Sequence, residues 1–207
     1  MKRHRFTNST GTVAVRGTNS GGKYKSKLER EGFIKAYLGA DVVSVHLQQP
    51  GITYTDGSGK PRRYTGDLLV RFNEKSKRRP LVIECKYAQA LADDPSLVEK
   101  HKRVALAFNE KGHDFSVQTE REIRTPDFRM MKFVFDHRNN DPHPANHEIM
   151  TCMRTHKSLS LEVLIKAVRS NLIEQYALIP EVWRLVALGE LKVDFHQNLD
   201  LAAKITL

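Results

Sequence analysis

The chain predicts an α/β protein, with a mixed sheet core flanked by helices and then a small second domain of different texture. Three observations predict this. Short β-branched or apolar runs at 42–47, 67–72 and 81–85 alternate with longer stretches whose apolar residues recur at helical spacing. The run Leu81-Val-Ile-Glu-Cys is almost wholly apolar, as expected of a central strand covered on both faces. Beyond a stretch rich in His, Asn, Asp and Pro at 136–147, the pattern changes to two amphipathic helices and two short apolar segments.

Taken in order, residues 1–22 are basic and then rich in Ser, Thr, Asn and Gly, the composition of a flexible arm. Leu28, Phe33, Ile34, Tyr37 and Leu38 approximate a helical stripe over 24–38. The strand at 42–47 ends before Gln48-Gln49-Pro50. Ile52-Thr-Tyr-Thr and Pro61-Arg-Arg-Tyr flank Asp56-Gly-Ser-Gly, a hairpin signal. The strands at 67–72 and 81–85 enclose a basic loop at 75–79. Pro95 opens a helix that stops at Lys111-Gly112, a strand follows at 115–118, and 131–135 is a further short apolar segment. The stretch 136–147 reads as a linker. After it come helices at 161–172 and 180–188, and segments 191–195 and 201–207 that can pair as a small hairpin. Helices followed by a hairpin suggest a winged-helix-like module. The expected organisation is an arm over 1–22, a main domain over 23–145 and the small domain over 146–207.

Lys and Arg number 34 against 24 Asp and Glu, a formal net charge of +10. Such an excess suits a protein that approaches a polyanion, because basic side chains displace condensed counterions and speed encounter. Two cysteines, Cys85 and Cys152, make no disulfide framework, and Cys85 inside its apolar run acts as a small hydrophobe. The basic start Met1-Lys-Arg-His-Arg is followed by no apolar run of signal-peptide length, and nothing approaches the ~20 apolar residues of a membrane span. The expectation is a cytoplasmic protein with no membrane partner.

The chemistry concentrates in Ser-Lys-Leu-Glu29-Arg-Glu, Tyr-Thr-Gly-Asp67-Leu-Leu-Val and Leu-Val-Ile-Glu84-Cys-Lys86. On a strand, Glu84 and Lys86 share a face roughly 6.6 Å apart. Neighbouring antiparallel strands joined by a turn can bring Asp67 and Glu84 to one edge. Paired carboxylates are hard oxygen ligands suited to Mg²⁺, and such an ion activates water and neutralises a departing oxygen. Lys86 would stabilise charge developing on a phosphate, and Glu29 would complete the site from its helix. Each residue has a plainer reading: Glu29 as solvated surface, Asp67 as a turn acceptor, Glu84 and Lys86 as a structural ion pair. A charge within the apolar run 81–85 is costly unless paired or metal-bound. The three acids in this order favour a metal-dependent nuclease, and the order of elements matches the restriction-endonuclease-like core. His143, His147, Cys152 and His156 offer zinc donors but lack a CxxC knuckle, so that segment reads as polar linker.

The chain also resembles TnsA, the endonuclease subunit of heteromeric bacterial DNA transposons. The resemblance rests on the Ser-Lys-Leu-Glu29-Arg helix, Gln49-Pro50, Arg63-Tyr64-Thr-Gly-Asp67, Glu84-Cys-Lys86, Thr119-Glu-Arg-Glu-Ile-Arg124 and Ile179-Pro-Glu-Val-Trp183-Arg-Leu-Val-Ala-Leu-Gly189 with Asp194. One departure is Gly66, where the family pattern usually has proline. The resemblance implies cutting of the non-transferred strands at transposon ends, beside a TnsB-like transposase and a TnsC-like AAA ATPase contacted by the carboxy-terminal region. It implies catalytic roles for Glu29, Asp67, Glu84 and Lys86, with Glu29, Asp67 and Glu84 holding Mg²⁺, for which Mn²⁺ can substitute.

Gln49 is a further candidate, as an accessory group reaching the attacking water or as a turn residue. Lys2, Arg3, Arg5, Arg16, Lys23, Lys25, Lys75, Lys77, Arg78 and Arg79 are candidates for phosphates of double-stranded DNA or for solvated charge. The second domain is poor in outward basic residues, which favours protein contact over base readout, and Trp183 is most simply its core. Two rivals stand beside the transposase reading: a catalytically inactive DNA-bridging subunit, and a stand-alone restriction or resolvase-type nuclease.

Overall fold

The computed structural model describes residues 9–207, so the candidates Lys2, Arg3 and Arg5 lie outside the described residues. Two compact units divide between Thr125 and Pro126.

The first unit opens with strands β1 (Gly11–Ala14) and β2 (Gly21–Tyr24), which pair antiparallel. Residues 11–14 and 21–22 are therefore sheet, not arm, and the expectation for that stretch is corrected. Its sparse side chains hid the strands, but Val13 and Val15 are buried and Ser20 Oγ accepts the Val45 N–H at 3.1 Å. Helix α1 (Lys27–Tyr37) follows, its first turn closed by Ser26 accepting the Glu29 N–H at 3.1 Å. Next come β3 (Val42–Leu47) and a hairpin of β4 (Gly51–Thr55) and β5 (Pro61–Thr65). Strands β6 (Leu68–Phe72) and β7 (Leu81–Cys85) flank the basic loop, and helices α2 (Ala88–Asp93) and α3 (Ser96–Glu110) lead to β8 (Asp114–Gln118) and the short α4 (Glu120–Ile123).

The main sheet runs β1-β2-β3-β6-β7-β8, with parallel pairs β2–β3 and β7–β8 and antiparallel pairs elsewhere. Strand alternation sorts its faces. Leu68 and Cys85 lie beneath α1, where a Cβ added to Gly32 would stand 2.8 Å from Cys85 Sγ. Leu69 and Val82 point the other way and pack with Tyr64, Val104 and Phe108, so α3 and the hairpin cover that face. A mixed sheet between helical layers is consistent with a restriction-endonuclease-like core.

The second unit begins earlier than expected, with α5 (Phe128–Asp136). Its residues 131–135 are the last turns of an amphipathic helix whose Val134 joins the core of this unit and whose Phe133 ring meets Trp183 edge-on at 6.0 Å. That packing draws the boundary back from 145. Helix α6 (Asn146–His156) occupies the stretch read as linker and contains His147, Cys152 and His156. Strand β9 (Ser158–Ser160), α7 (Leu161–Val168), α8 (Leu172–Ala177) and α9 (Ile179–Ala187) follow. Finally β10 (Lys192–Val193) and β11 (Lys204–Thr206) pair antiparallel, and β11 also pairs β9. The expected helix over 161–172 ends at Val168, where Arg169 turns extended, and Asn171 then caps α8 by accepting the Ile173 and Glu174 N–H groups. Trp183 is 2 % exposed in the core. No helix among the described residues is long and apolar enough to cross a membrane.

Candidate active site

The ladder pairs Leu68 with Ile83, so Asp67 and Glu84 stand at the next step, at the ends of neighbouring strands. Alternation puts Asp67 on the face of Leu69 and Glu84 on the face of Val82, which is one face. Both acids are buried. Asp67 Oδ2 accepts the Cys85 N–H at 2.9 Å, and Lys86 Nζ lies 2.7 Å from Glu84 Oε1. Glu29 reaches the same edge from the first turn of α1 because Gly32, one turn on, lets the helix lie directly against Cys85.

Gly66 has its own steric reason. A Cβ there would stand 2.3 Å from Val82 Cγ1, so a proline, which carries that carbon, would collide with the strand that bears Glu84.

The structure brings Gln48, rather than Gln49, to the acids. Gln48 is a non-glycine residue with φ 57°, in the left-handed region. Its backbone N–H is fixed on the Asp67 carbonyl at 2.7 Å. Its amide Nε2 donates to Glu29 Oε2 at 3.3 Å and to Asp67 Oδ1 at 3.4 Å, while Oε1 accepts from Lys25 Nζ at 2.6 Å. Gln49 is exposed. Lys25 also donates its backbone N–H to Glu29 Oε2 at 2.8 Å. Lys25 is thus joined to the acids both by its main chain and through Gln48.

These contacts leave the cluster short of positive charge. Burial, and then the neighbouring charge of Glu84, push the Asp67 carboxyl up to about 7, against the pull of the Cys85 N–H. For Lys86, burial opposes its charge, but the hydrogen bond and field of Glu84 prevail and its pKa rises. Two further groups border Glu84. Burial and the charge of Glu84 raise the Tyr64 phenol above its ordinary range, and its hydroxyl is buried with no acceptor at hydrogen-bonding geometry. His101, edge-on to Tyr64 at 6.4 Å, has both ring nitrogens buried without partners, and burial lowers its pKa. Neither was singled out from the sequence. The available signals were Tyr64 as the one buried residue of β5 and His101 on the buried stripe of α3 with Val104 and Phe108.

The loop at 75–79 lies elsewhere. It joins the opposite ends of β6 and β7, about 17 Å along the strand from Asp67 at the usual rise. Lys77 is exposed, and Arg78 stacks 3.5 Å over the Phe72 ring. Arg79 donates to the Asn109 carbonyl at 2.8 Å and the Gly112 carbonyl at 3.2 Å, fastening the end of α3. Lys23 is exposed on β2. The Thr119–Arg124 motif is a brace: Thr119 and Glu122 form a capping box, Glu120 accepts the Ala88 N–H at 2.9 Å, and Arg124 pairs Glu31 of α1 at 2.8 Å.

As ligands, Glu29, Asp67 and Glu84 offer the oxygen chemistry that Mg²⁺ prefers, and a cation there would offset both the burial and the like charge that raise the Asp67 pKa. As the side chains lie, no three His, Cys, Asp or Glu residues among the described residues are arranged to hold a metal ion. The Gln48 amide stands between Glu29 and Asp67. The same finding applies to the histidines near α6, where His143 Nδ1 accepts the Ala145 N–H at 3.1 Å.

A comparison with curated proteins finds no match. A comparison with family models does: residues 39–120, which run from before β3 to the start of α4 and include Gln48, Asp67, Glu84 and Lys86, match the model described as the TnsA-like endonuclease N terminal. On that match the chain carries a TnsA-like endonuclease domain.

Proposed function

We propose that the protein is the metal-dependent endonuclease subunit of a transposase complex, cutting the non-transferred (5′) strands of double-stranded DNA at transposon ends. The observation that carries this is the meeting of Asp67, Glu84 and Lys86 at one edge of the matched domain, with Glu29 joined to them through Gln48. Glu29, Asp67 and Glu84 would hold Mg²⁺, with Mn²⁺ able to replace it. When bound, the ion supplies an acidified water and neutralises charge on the phosphate.

The chain's own residues do the rest. Burial of Asp67 and Glu84 keeps bulk water from weakening their field at the reacting phosphate. Lys86, held by Glu84 and charged at neutral pH, would stabilise the negative charge that develops on the phosphate oxygens. Lys25 adds a second cation at the same edge. Contacts of this kind position the backbone without reading sequence, which leaves recognition of the ends to a TnsB-like transposase.

The second unit is read as winged-helix-like on its order of helix, strand, helices and two strands, with β11 between β9 and β10. A protein-contacting role, toward a TnsC-like ATPase, is supported by the exposed apolar residues Leu172, Ile173 and Tyr176 on α8.

Strand-resolved cleavage of labelled end DNA in Mg²⁺, with the partner transposase and ATPase present, tests the reading. The Lys86→Ala protein is expected to lose the cuts on the non-transferred strand while transferred-strand cuts persist. Cuts on both strands by that variant would move the chemistry to the partner and favour a bridging subunit.

A further inference from the structure

We infer that Gln48 is a positioning residue of the acid cluster that competes with a divalent cation for Glu29 and Asp67, and so sets the affinity of the site for that cation. The inference deepens the proposed function and rests on it.

The geometry behind it is specific. The Gln48 amide donates to one oxygen of each of two acids carried on different elements, α1 and the start of β6. A cation shared by Glu29 and Asp67 needs lone pairs on those same two carboxylates. The orientation of the amide is settled by Lys25, an ammonium with no acceptor capacity, which lies 2.6 Å from Oε1 and so turns the NH₂ group toward the acids. The contacts to the acids, at 3.3 and 3.4 Å, are at the long end of hydrogen bonding. A grip of that length bridges the carboxylates yet yields to a charged ligand.

The backbone adds an independent argument. Gln48 holds a left-handed conformation, which is unfavourable for a residue with a side chain and persists only where its surroundings impose it. The imposing contact is the 2.7 Å bond from its N–H to the Asp67 carbonyl. The residue is thus tied by its main chain to the same acid that its side chain engages. A cation held by Glu29 and Asp67 would take from the amide the two carboxylate oxygens it now engages.

The test is calorimetric titration of the full-length protein with Mn²⁺, without DNA, comparing wild type with Gln48→Met, Gln48→Ala and Asp67→Asn. Methionine keeps the bulk and the flexible stem but removes the donor, so it serves where the alanine variant fails to fold. Lys25 is left intact, because removing its charge would itself favour a cation. The expected result is Mn²⁺ binding that Asp67→Asn abolishes and that Gln48→Met tightens on the order of tenfold, the loss of two weak competing hydrogen bonds. Asp67-dependent binding with affinity unchanged or weakened in Gln48→Met overturns this inference and leaves the proposed function standing. No binding by wild type or either Gln48 variant overturns both.

Discussion

Two buried glutamate or aspartate sites, one in each unit, are treated in opposite ways by their surroundings. In the second unit, burial works against the charge of Glu181, but Arg184 donates twice at 2.7 and 2.8 Å, Asn146 at 2.6 Å and the His143 N–H at 3.1 Å, and its pKa falls. In the first unit, Asp67 receives one strong backbone bond and a long one from Gln48; burial, and then the like charge of Glu84 and Glu29, outweigh them, and its pKa rises to about 7. Glu181 is a satisfied joint that ties the start of α6 to α9. Asp67 belongs to a cluster whose charge is left for something else to neutralise. A buried acid left without full compensation in an otherwise well-packed domain is the physical signature of a candidate functional site.

The comparison can be broken first at the satisfied joint. Arg184→Met removes the main partner of a buried carboxylate and is expected to cost about 3–5 kcal/mol, measured by urea denaturation at pH 7. A loss under 1 kcal/mol would mean that Glu181 is not held as described. Asp67→Asn should act in the opposite direction. A carboxyl whose folded pKa lies above its unfolded value costs stability as pH rises from about 4 to about 7. In chelator at pH 8 the variant should therefore gain on the order of 1–3 kcal/mol, and near pH 4 the gain should vanish. Destabilisation at pH 8 would contradict the account of strain at Asp67.

Next in size is the approach of α1. Gly32→Val places a branched side chain against Cys85 and is expected to cost about 1–3 kcal/mol and to depress cleavage further by displacing Glu29. Full activity with unchanged stability would show that the close contact does not position the acid. The smallest effects separate the two ends of the β6–β7 hairpin. Lys25→Ala should lower affinity for duplex DNA and reduce the salt slope by about 1. Arg79→Ala should cost about 1 kcal/mol of stability and leave the slope unchanged. A slope change from Arg79 alone would return the distal loop to the DNA contact.

Much of this was legible from the chain itself. Glu84 stood out because a charge interrupts an apolar run, and Lys86 followed from the two-residue period of a strand. Asp67 came from its place at the start of the preceding strand. The misses have physical causes. Strands β1 (Gly-Thr-Val-Ala) and β2 (Gly-Gly-Lys-Tyr) have four residues each and are rich in Gly, so neither carries a long apolar run, and the pairing of β1 with β2 and of β2 with β3 makes them sheet. Choosing Gln49 over Gln48 turned on a backbone angle that neither glutamine encodes: the positive φ at Gln48 aims that side chain at the acids. Arg79 looked like a free cation because its acceptors are carbonyls at the end of α3, thirty or more residues away in sequence. Glu181 and Arg184 stand in the Ile179–Gly189 motif, but nothing in the sequence marks them as a buried pair.

The most direct measurement pairs the two buried acids in one assay: Mg²⁺-dependent cleavage of labelled transposon-end DNA, with partner proteins present, by Asp67→Asn and by Glu181→Gln. The account predicts that Asp67→Asn, folded and at least as stable as wild type, loses non-transferred-strand cleavage by a factor on the order of 10³, while Glu181→Gln cuts both strands as wild type does. Undiminished cleavage by Asp67→Asn would contradict it, because the charge stored at the edge of the β6–β7 hairpin would then serve no chemistry.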